Sequence, residues 1–137
     1  MPGIFDSCKL QINGIPFPVG KEVQSLLKQG AIFVDLREDI ETMIKAFGIE
    51  NIIYLPHSKL EEKWTDLPAD KPLILADSVG IWSKSAAGFL KEKGYTRVAS
   101  LAGGIAEWER DGLPLKADRY QPLNGPCLCM IRPKEKK

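Results

Sequence analysis

Residues 73–93 have the sequence LILADSVGIWSKSAAGFLKEK, and this stretch decides the fold. A four-residue apolar run ends at Asp77, a short loop containing Gly80 follows, and a helical pattern begins at Ile81. An uninterrupted apolar run of this length is typical of a parallel strand that is buried on both faces. The stretch therefore predicts a buried strand, a tight loop and a helix in direct succession.

Three further predicted strands are separated from this strand and from one another by helical patterns. The predicted strands cover residues 31–36, 51–55, 73–76 and 97–101, and the predicted helices cover residues 21–29, 38–47, 58–63, 81–93 and 105–110. Strands that alternate with helices at this spacing indicate βαβ units. The predicted fold class is therefore α/β, with a central, mostly parallel sheet and helices on both faces. In the helix over residues 38–47, we expect Ile40, Met43, Ile44 and Phe47 to form the buried stripe.

Composition limits the class of protein. The 137 residues are 44% hydrophobic and 27% charged, which is typical of one globular domain. A net charge of +1 favours neither nucleic acid nor a membrane surface as a partner. The sequence has neither a run of about 20 apolar residues nor the pattern of a signal peptide. Three cysteines and one histidine argue against a disulfide framework and a two-histidine metal site. We expect a cytoplasmic protein without a cofactor or a metal.

The loop that follows the third predicted strand is the candidate ligand-binding site. Ligands of open parallel sheets bind beyond the carboxyl ends of the strands, where this sequence has Asp35 and Asp77. Backbone N–H groups in a short loop before a helix converge on one point and attract anions. The predicted binding loop consists of Asp77, Ser78, Val79, Gly80, Ile81, Trp82 and Ser83.

Two stretches of the sequence resemble motifs of the rhodanese-like domains. Residues 34–38, Val-Asp-Leu-Arg-Glu, are similar to the V-D-x-R-E motif of that family, and residues 101–114 match L-x-G-G-I-x-x-W-x-x-x-G-x-P in order and spacing. The resemblance implies the α/β rhodanese fold and a buried Trp108. It also divides the chain into a lead-in over residues 1–20, a rhodanese-like domain over residues 21–115 and a C-terminal arm over residues 116–137.

The resemblance has a second implication, which concerns activity. Enzymes of this family carry sulfane sulfur as a persulfide on a cysteine that opens a loop of the pattern C-x-x-G-x-R-S. In this sequence the corresponding residues are Asp77, Gly80, Trp82 and Ser83, so the cysteine and the arginine are replaced. The histidine of the family's G-H-I-P-G-A motif is also missing from residues 48–52. A carboxylate cannot form a persulfide, and an arginine that would attract an anion is lost. The resemblance implies a catalytically inactive domain that binds an unknown protein or small ligand at the loop.

Several residues keep alternative interpretations. Asp77 either caps the following helix or, together with Asp35, acts as a nucleophile or metal ligand in an unrelated reaction. Asp35 and Arg37 match the family motif and are expected to form a structural ion pair. Trp82 either closes the pocket, contributes to a partner surface or packs against the segment after Leu115.

The thiols give an alternative function. Cys127 and Cys129 form a C-x-C pair that could carry persulfide, bind a soft metal or cycle as a disulfide, or could simply be small buried residues. A divergent sulfurtransferase or thiol redox protein would use this pair. Together with Cys8 and His57 the pair could supply four zinc ligands, although the scattered spacing makes this a weak signal.

Overall fold

The apolar run that ends at Ala76 forms a central strand of a parallel sheet, with neighbours on both sides. The computed structural model describes residues 5, 8, 10–12 and 14–116. In chain order the elements are β1 (Gln11–Ile12), β2 (Ile15–Pro16), α1 (Gly20–Lys28), β3 (Ile32–Asp35), α2 (Asp39–Ile44), β4 (Ala46–Phe47), β5 (Ile53–Tyr54), α3 (Leu60–Lys63), β6 (Leu73–Ala76), α4 (Ile81–Glu92), β7 (Val98–Ser100), α5 (Gly104–Arg110) and β8 (Leu115–Lys116).

The sheet has the strand order β5-β3-β6-β7, and all three pairings are parallel. Val34 is in register with Ile53 on one side and with Leu75 on the other, and Leu75 is in register with Ser100. Helices surround the sheet, so the predicted α/β fold class is confirmed. Two antiparallel ribbons of two strands each, β1–β2 and β4–β8, complete the described structure.

Side chains of successive strand residues point to opposite faces of the sheet and form two separate cores. Val34 and Leu75 lie in the core that also contains Leu90 of α4. Phe33 lies in the other core, where the rings of Phe47 and Trp108 pack edge-on against each other with centroids 5.3 Å apart. Trp108 is fully buried, as the family resemblance implies. The central strands β3 and β6 must therefore be apolar on both faces, which explains the apolar runs that precede Asp35 and Asp77.

The helix predicted over residues 38–47 differs from the observed one. α2 ends at Ile44, and Ala46 and Phe47 form a strand instead. Of the predicted buried stripe only Phe47 is buried, whereas Ile40 and Ile44 are each 70% exposed. The side chain of α2 that faces the protein interior is Thr42. Helical spacing correctly placed Ile40, Met43 and Ile44 on one face of α2, but that face points outward.

Within the described part of the chain, no helix is long and apolar enough to span a bilayer.

Candidate functional site

The site lies at the carboxyl ends of β3 and β6, which are neighbours in the sheet. Asp35 is in register with Ala76, so the chain segments that leave the two strands begin side by side. The segment after β6 is the four-residue loop Asp77–Gly80, and α4 begins directly after it. Gly80 has a φ of 97°, a left-handed conformation that glycine adopts without steric cost. The tight turn at Gly80 aims the first N–H groups of α4 back at Asp77.

The carboxylate of Asp77 occupies the point on which these N–H groups converge. Its Oδ1 accepts a hydrogen bond from the backbone N–H of Gly80 at 2.5 Å, and its Oδ2 accepts one from the N–H of Trp82 at 2.6 Å. The backbone N–H and the hydroxyl of Ser83 each lie 3.4 Å from a carboxylate oxygen. Asp77 is only 1% exposed. This is the arrangement that the helix-capping interpretation predicts, with the side chain reaching several N–H groups at once.

The side chains packed beneath the loop are polar and buried. Ser83 and Ser100 are fully buried, and their hydroxyl oxygens are 2.7 Å apart. This hydrogen bond joins the start of α4 to β7 directly beneath Asp77. The buried polar groups around the carboxylate are therefore paired with one another, as buried polar groups generally are.

The other side of the loop is fixed by α5. The carbonyl oxygen of Asp77 accepts a hydrogen bond from the N–H of Ile105 at 2.9 Å, and that of Ser78 accepts one from Ala106 at 3.1 Å. Gly104 makes this approach possible, since a Cβ at residue 104 would lie 2.5 Å from the carbonyl oxygen of Asp77. The loop is therefore held between two helix N-termini.

Replacing Gly104 by alanine is expected to destabilise the protein by about 2 kcal/mol, since it adds a clash to a left-handed residue. Gly112→Ala is the matched control. Gly112 also has a positive φ, of 76°, but a Cβ there would meet nothing within 4 Å. The free energies of unfolding of both variants in urea separate the cost of the clash from the cost of the left-handed conformation. Equal losses would show that the contact between the loop and α5 contributes nothing.

Asp35 and Arg37 form a buried ion pair, as the sequence predicts. The guanidinium of Arg37 donates to Oδ1 at 3.2 Å through Nε and to Oδ2 at 3.0 Å through Nη2, and the backbone N–H of Arg37 also donates to Oδ1. Burial raises the pKa of Asp35 above its usual 3.8, and the hydrogen bonds and charge of Arg37 lower it in opposition. Asp35 is thus satisfied by Arg37, and Asp77 by its own loop. The two aspartates therefore have separate hydrogen-bond partners in this geometry.

Sequence reasoning missed a ring stack at the rim of the site. The imidazole of His57 lies parallel to the indole of Trp82, with centroids 4.3 Å apart and an interplanar angle of 5°. Nε2 of His57 is 3.6 Å from a carboxylate oxygen of Glu38, the residue that precedes α2. His57 follows the buried Leu55 at the exit of β5, and this strand-end position is the only sequence signal for it.

The surface above Asp77 is apolar. Trp82 is 52% exposed even with His57 stacked on it, and Val79 and Ile81 are also exposed. A groove of about 700 Å³ runs from Val79 and Gly80 along α4 to Phe89. A partner at this site would therefore meet apolar side chains rather than the buried carboxylate of Asp77.

Of the three thiols, the structure describes only that of Cys8. Cys127 and Cys129 lie outside the described residues, and Cys8 is buried in the core that contains Phe33. The zinc site considered from the sequence needs both of those C-terminal thiols. Among the residues that the structure describes, no three histidine, cysteine or acidic side chains are grouped to hold a metal ion.

The domain is of the α/β class. It has a four-stranded parallel sheet, flanking helices and a loop after β6 that caps the following helix. The model of the rhodanese-like domain family matches residues 20–111. This chain belongs to the rhodanese-like domain family.

Two curated relatives are named for sulfur transfer. The thiosulfate sulfurtransferase GlpE of Haemophilus influenzae is 31% identical over 99 residues, which cover 69% of this chain and 89% of that protein. A sulfurtransferase of Allochromatium vinosum is 32% identical over 89 residues, covering 65% and 81% respectively. The crystal structure of a rhodanese-related protein from Thermoplasma volcanium matches with a TM-score of 0.67 and 28% identity, over 74% of this chain and 98% of that one.

Proposed function

We propose that this chain is a catalytically inactive rhodanese-like domain that acts as a binding or regulatory module, with the loop over residues 77–83 as its binding surface. In this proposal Asp77 stands where the sulfurtransferases of the family have their reactive cysteine. The observation that carries it is the carboxylate of Asp77, which accepts hydrogen bonds from the N–H groups of Gly80 and Trp82. The domain would extend over residues 21–115 and act in the cytoplasm.

The carboxylate of Asp77 in the loop argues against sulfur transfer in two ways. A carboxylate is not a nucleophile that can take up sulfane sulfur and hold it as a persulfide. The same carboxylate also occupies the donors that would bind an anionic substrate, and its negative charge repels such a substrate. The loss of the nucleophile and the loss of the anion site therefore have one cause.

The exposed side chains support binding instead. Trp82, Val79 and Ile81 are apolar and exposed around the loop, and a group of exposed apolar side chains on a small domain commonly marks an interaction site. Tryptophan is among the residues that contribute most to binding energy at protein interfaces. The surface therefore suits an apolar patch of a partner protein or an uncharged ligand better than a small anion.

Wild-type protein is expected to form no thiocyanate from thiosulfate and cyanide above the uncatalysed background. The assay should be accompanied by mass spectrometry after incubation with thiosulfate, with Cys127→Ser and Cys129→Ser variants as controls. Thiocyanate formation together with a persulfide on either thiol would overturn the proposal. That result would favour the alternative, a divergent sulfurtransferase or thiol redox protein.

Anion access to the loop can be measured directly. In an NMR titration with thiosulfate, the amide signals of Gly80, Trp82 and Ser83 are expected to stay unchanged in the wild-type protein. The Asp77→Ala variant vacates the carboxylate site, so the same three signals should shift on titration. Shifts of equal size in both proteins would contradict the idea that Asp77 blocks the loop.

A further inference from the structure

α2 presents an apolar face that no described element covers. Ile40 and Ile44 are each 70% exposed and Met43 is 44% exposed, on the opposite side of the helix from the buried Thr42. Three exposed apolar side chains on a helix of six residues form a patch rather than scattered exposure. Such a patch is expected to contact another segment or another protein.

The last described strand leads the chain towards the C-terminal end of α2. β8 pairs with β4 in the antiparallel sense, with Leu115 opposite Phe47 and Lys116 opposite Ala46. β4 follows directly from α2 through Lys45. Because the two strands run in opposite directions, β8 is directed towards the C-terminal end of α2. The described part of the chain therefore ends at Lys116, opposite Ala46 and close in sequence register to the end of α2.

The residues that follow match this face in charge and in polarity. Residues 117–137 contain five basic and two acidic residues. Glu38, Asp39 and Glu41 make the start of α2 acidic. Residues 127–131 have the sequence CLCMI, and Arg132 and Lys134 follow. An apolar stretch next to basic residues complements an apolar face that begins with acidic residues.

The length of this segment is sufficient. An extended chain spans about 3.3 Å per residue, so the eleven residues from Lys116 to Cys127 reach up to about 36 Å. α2 is about 9 Å long, since a helix rises 1.5 Å per residue. The covalent connection also gives the segment an effective concentration that a separate molecule would rarely match.

We propose that residues 117–137 of the same chain bind the exposed face of α2, with the apolar stretch over residues 127–131 against Ile40 and Ile44. A hydrogen bond of 3.1 Å from the Ser78 hydroxyl to Glu41 joins α2 to the 77–83 loop. α2 therefore borders the proposed binding surface. This inference does not depend on whether the loop is catalytic.

Disulfide trapping in the full-length chain tests the contact. The test variant carries Ile44→Cys and Cys127→Ser, so that the introduced thiol can pair with Cys129 without competition from Cys127. The control variant carries Lys71→Cys and Cys127→Ser. Lys71 is exposed and lies just before β6, at the opposite end of that strand from Asp77. Both variants are treated with a mild oxidant, and the disulfides are assigned by non-reducing peptide mapping.

Monomeric protein is expected to form the disulfide between position 44 and Cys129 on the order of tenfold faster than the one between position 71 and Cys129. In urea the order should reverse, because position 71 is nearer to Cys129 along the chain and closes a smaller loop. Equal rates in native protein would overturn the proposal. A disulfide at position 44 that forms only between two molecules would also overturn it and would identify a second copy as the occupant. Neither result changes the thiosulfate assay, so the two proposals fail separately.

Discussion

Replacing Asp77 by cysteine and Trp82 by arginine is expected to create measurable thiosulfate sulfurtransferase activity in a protein that, under the proposed function, otherwise has none. The double variant should form thiocyanate from thiosulfate and cyanide at least about 100-fold above the uncatalysed background, the size of effect that positioned catalytic groups commonly have. Of the variants proposed for this protein, the double variant has the largest expected change in activity. This expectation rests on the proposal that the loop keeps the form of a sulfurtransferase site.

The physical reason lies in the hydrogen-bond donors that Asp77 now uses. Without the carboxylate, the N–H groups of Gly80, Trp82 and Ser83 would face the introduced sulfur and favour its thiolate form. The thiolate would attack the sulfane sulfur of thiosulfate, the sulfur–sulfur bond would break, and sulfite would leave. Cyanide would then take the sulfur from the persulfide and regenerate the thiolate. The arginine would supply the positive charge that attracts the anionic substrate.

Each single variant is a control. Asp77→Cys alone should form a persulfide that mass spectrometry detects, but should turn over slowly because anion binding stays weak. Trp82→Arg alone should be inactive, because the carboxylate remains. If the double variant folds, as its circular dichroism would report, and still carries no persulfide, the loop does not retain a sulfurtransferase geometry.

The sheet could be predicted from sequence because its two central strands, β3 and β6, lie in the continuous apolar runs at residues 31–34 and 73–76. Phe33 and Val34 enter different cores, so neither face of β3 tolerates a polar residue before Asp35. The orientation of α2 could not be predicted in the same way. Periodicity reports which residues share a helix face, but it does not report whether that face is turned inward. The apolar face of α2 points outward, and Thr42 points inward.

The candidate site could likewise be predicted from sequence only in part. The convergence of N–H groups on Asp77 follows from a short loop between a buried strand and a helix, so local sequence was sufficient to predict it. The ring stack of His57 on Trp82 was not predictable, because it joins two segments that are far apart in sequence and carry no shared pattern. The hydrogen bond between Ser83 and Ser100 likewise depends on the neighbouring positions of α4 and β7 in space.

Replacing Arg37 by methionine is expected to give the largest loss of stability, about 3–5 kcal/mol near neutral pH, because it leaves a buried carboxylate without its partner. Methionine keeps much of the apolar volume of the side chain, so the loss reports mainly the charge and the hydrogen bonds. Both members of the pair are buried, with exposures of 4% for Arg37 and 0% for Asp35. The guanidinium carbon also lies 5.5 Å from the ring centroid of Phe47, a cation–π contact that the substitution removes.

The loss should depend on pH in a defined direction. Burial already raises the pKa of Asp35 above 3.8 in the folded protein, and removing Arg37 takes away the groups that oppose this rise. The folded variant would then bind a proton more tightly than its unfolded chain, so its stability should fall as pH rises from 3.8 through the raised pKa. The difference in the free energy of unfolding between the variant and the wild-type protein should therefore be smaller at about pH 5 than at about pH 7.5.

Urea unfolding of the wild-type protein, Arg37→Met and the double variant Asp35→Asn with Arg37→Met at both pH values measures this dependence. The double variant has no ionisable group in the pair, so it should be more stable than Arg37→Met near neutral pH and should lack its added dependence on pH. A loss in Arg37→Met that is the same at both pH values would mean that Asp35 stays ionised without its partner. In that case the desolvation of the carboxylate would be weaker than its complete burial implies, and the ion pair would contribute through geometry rather than through charge.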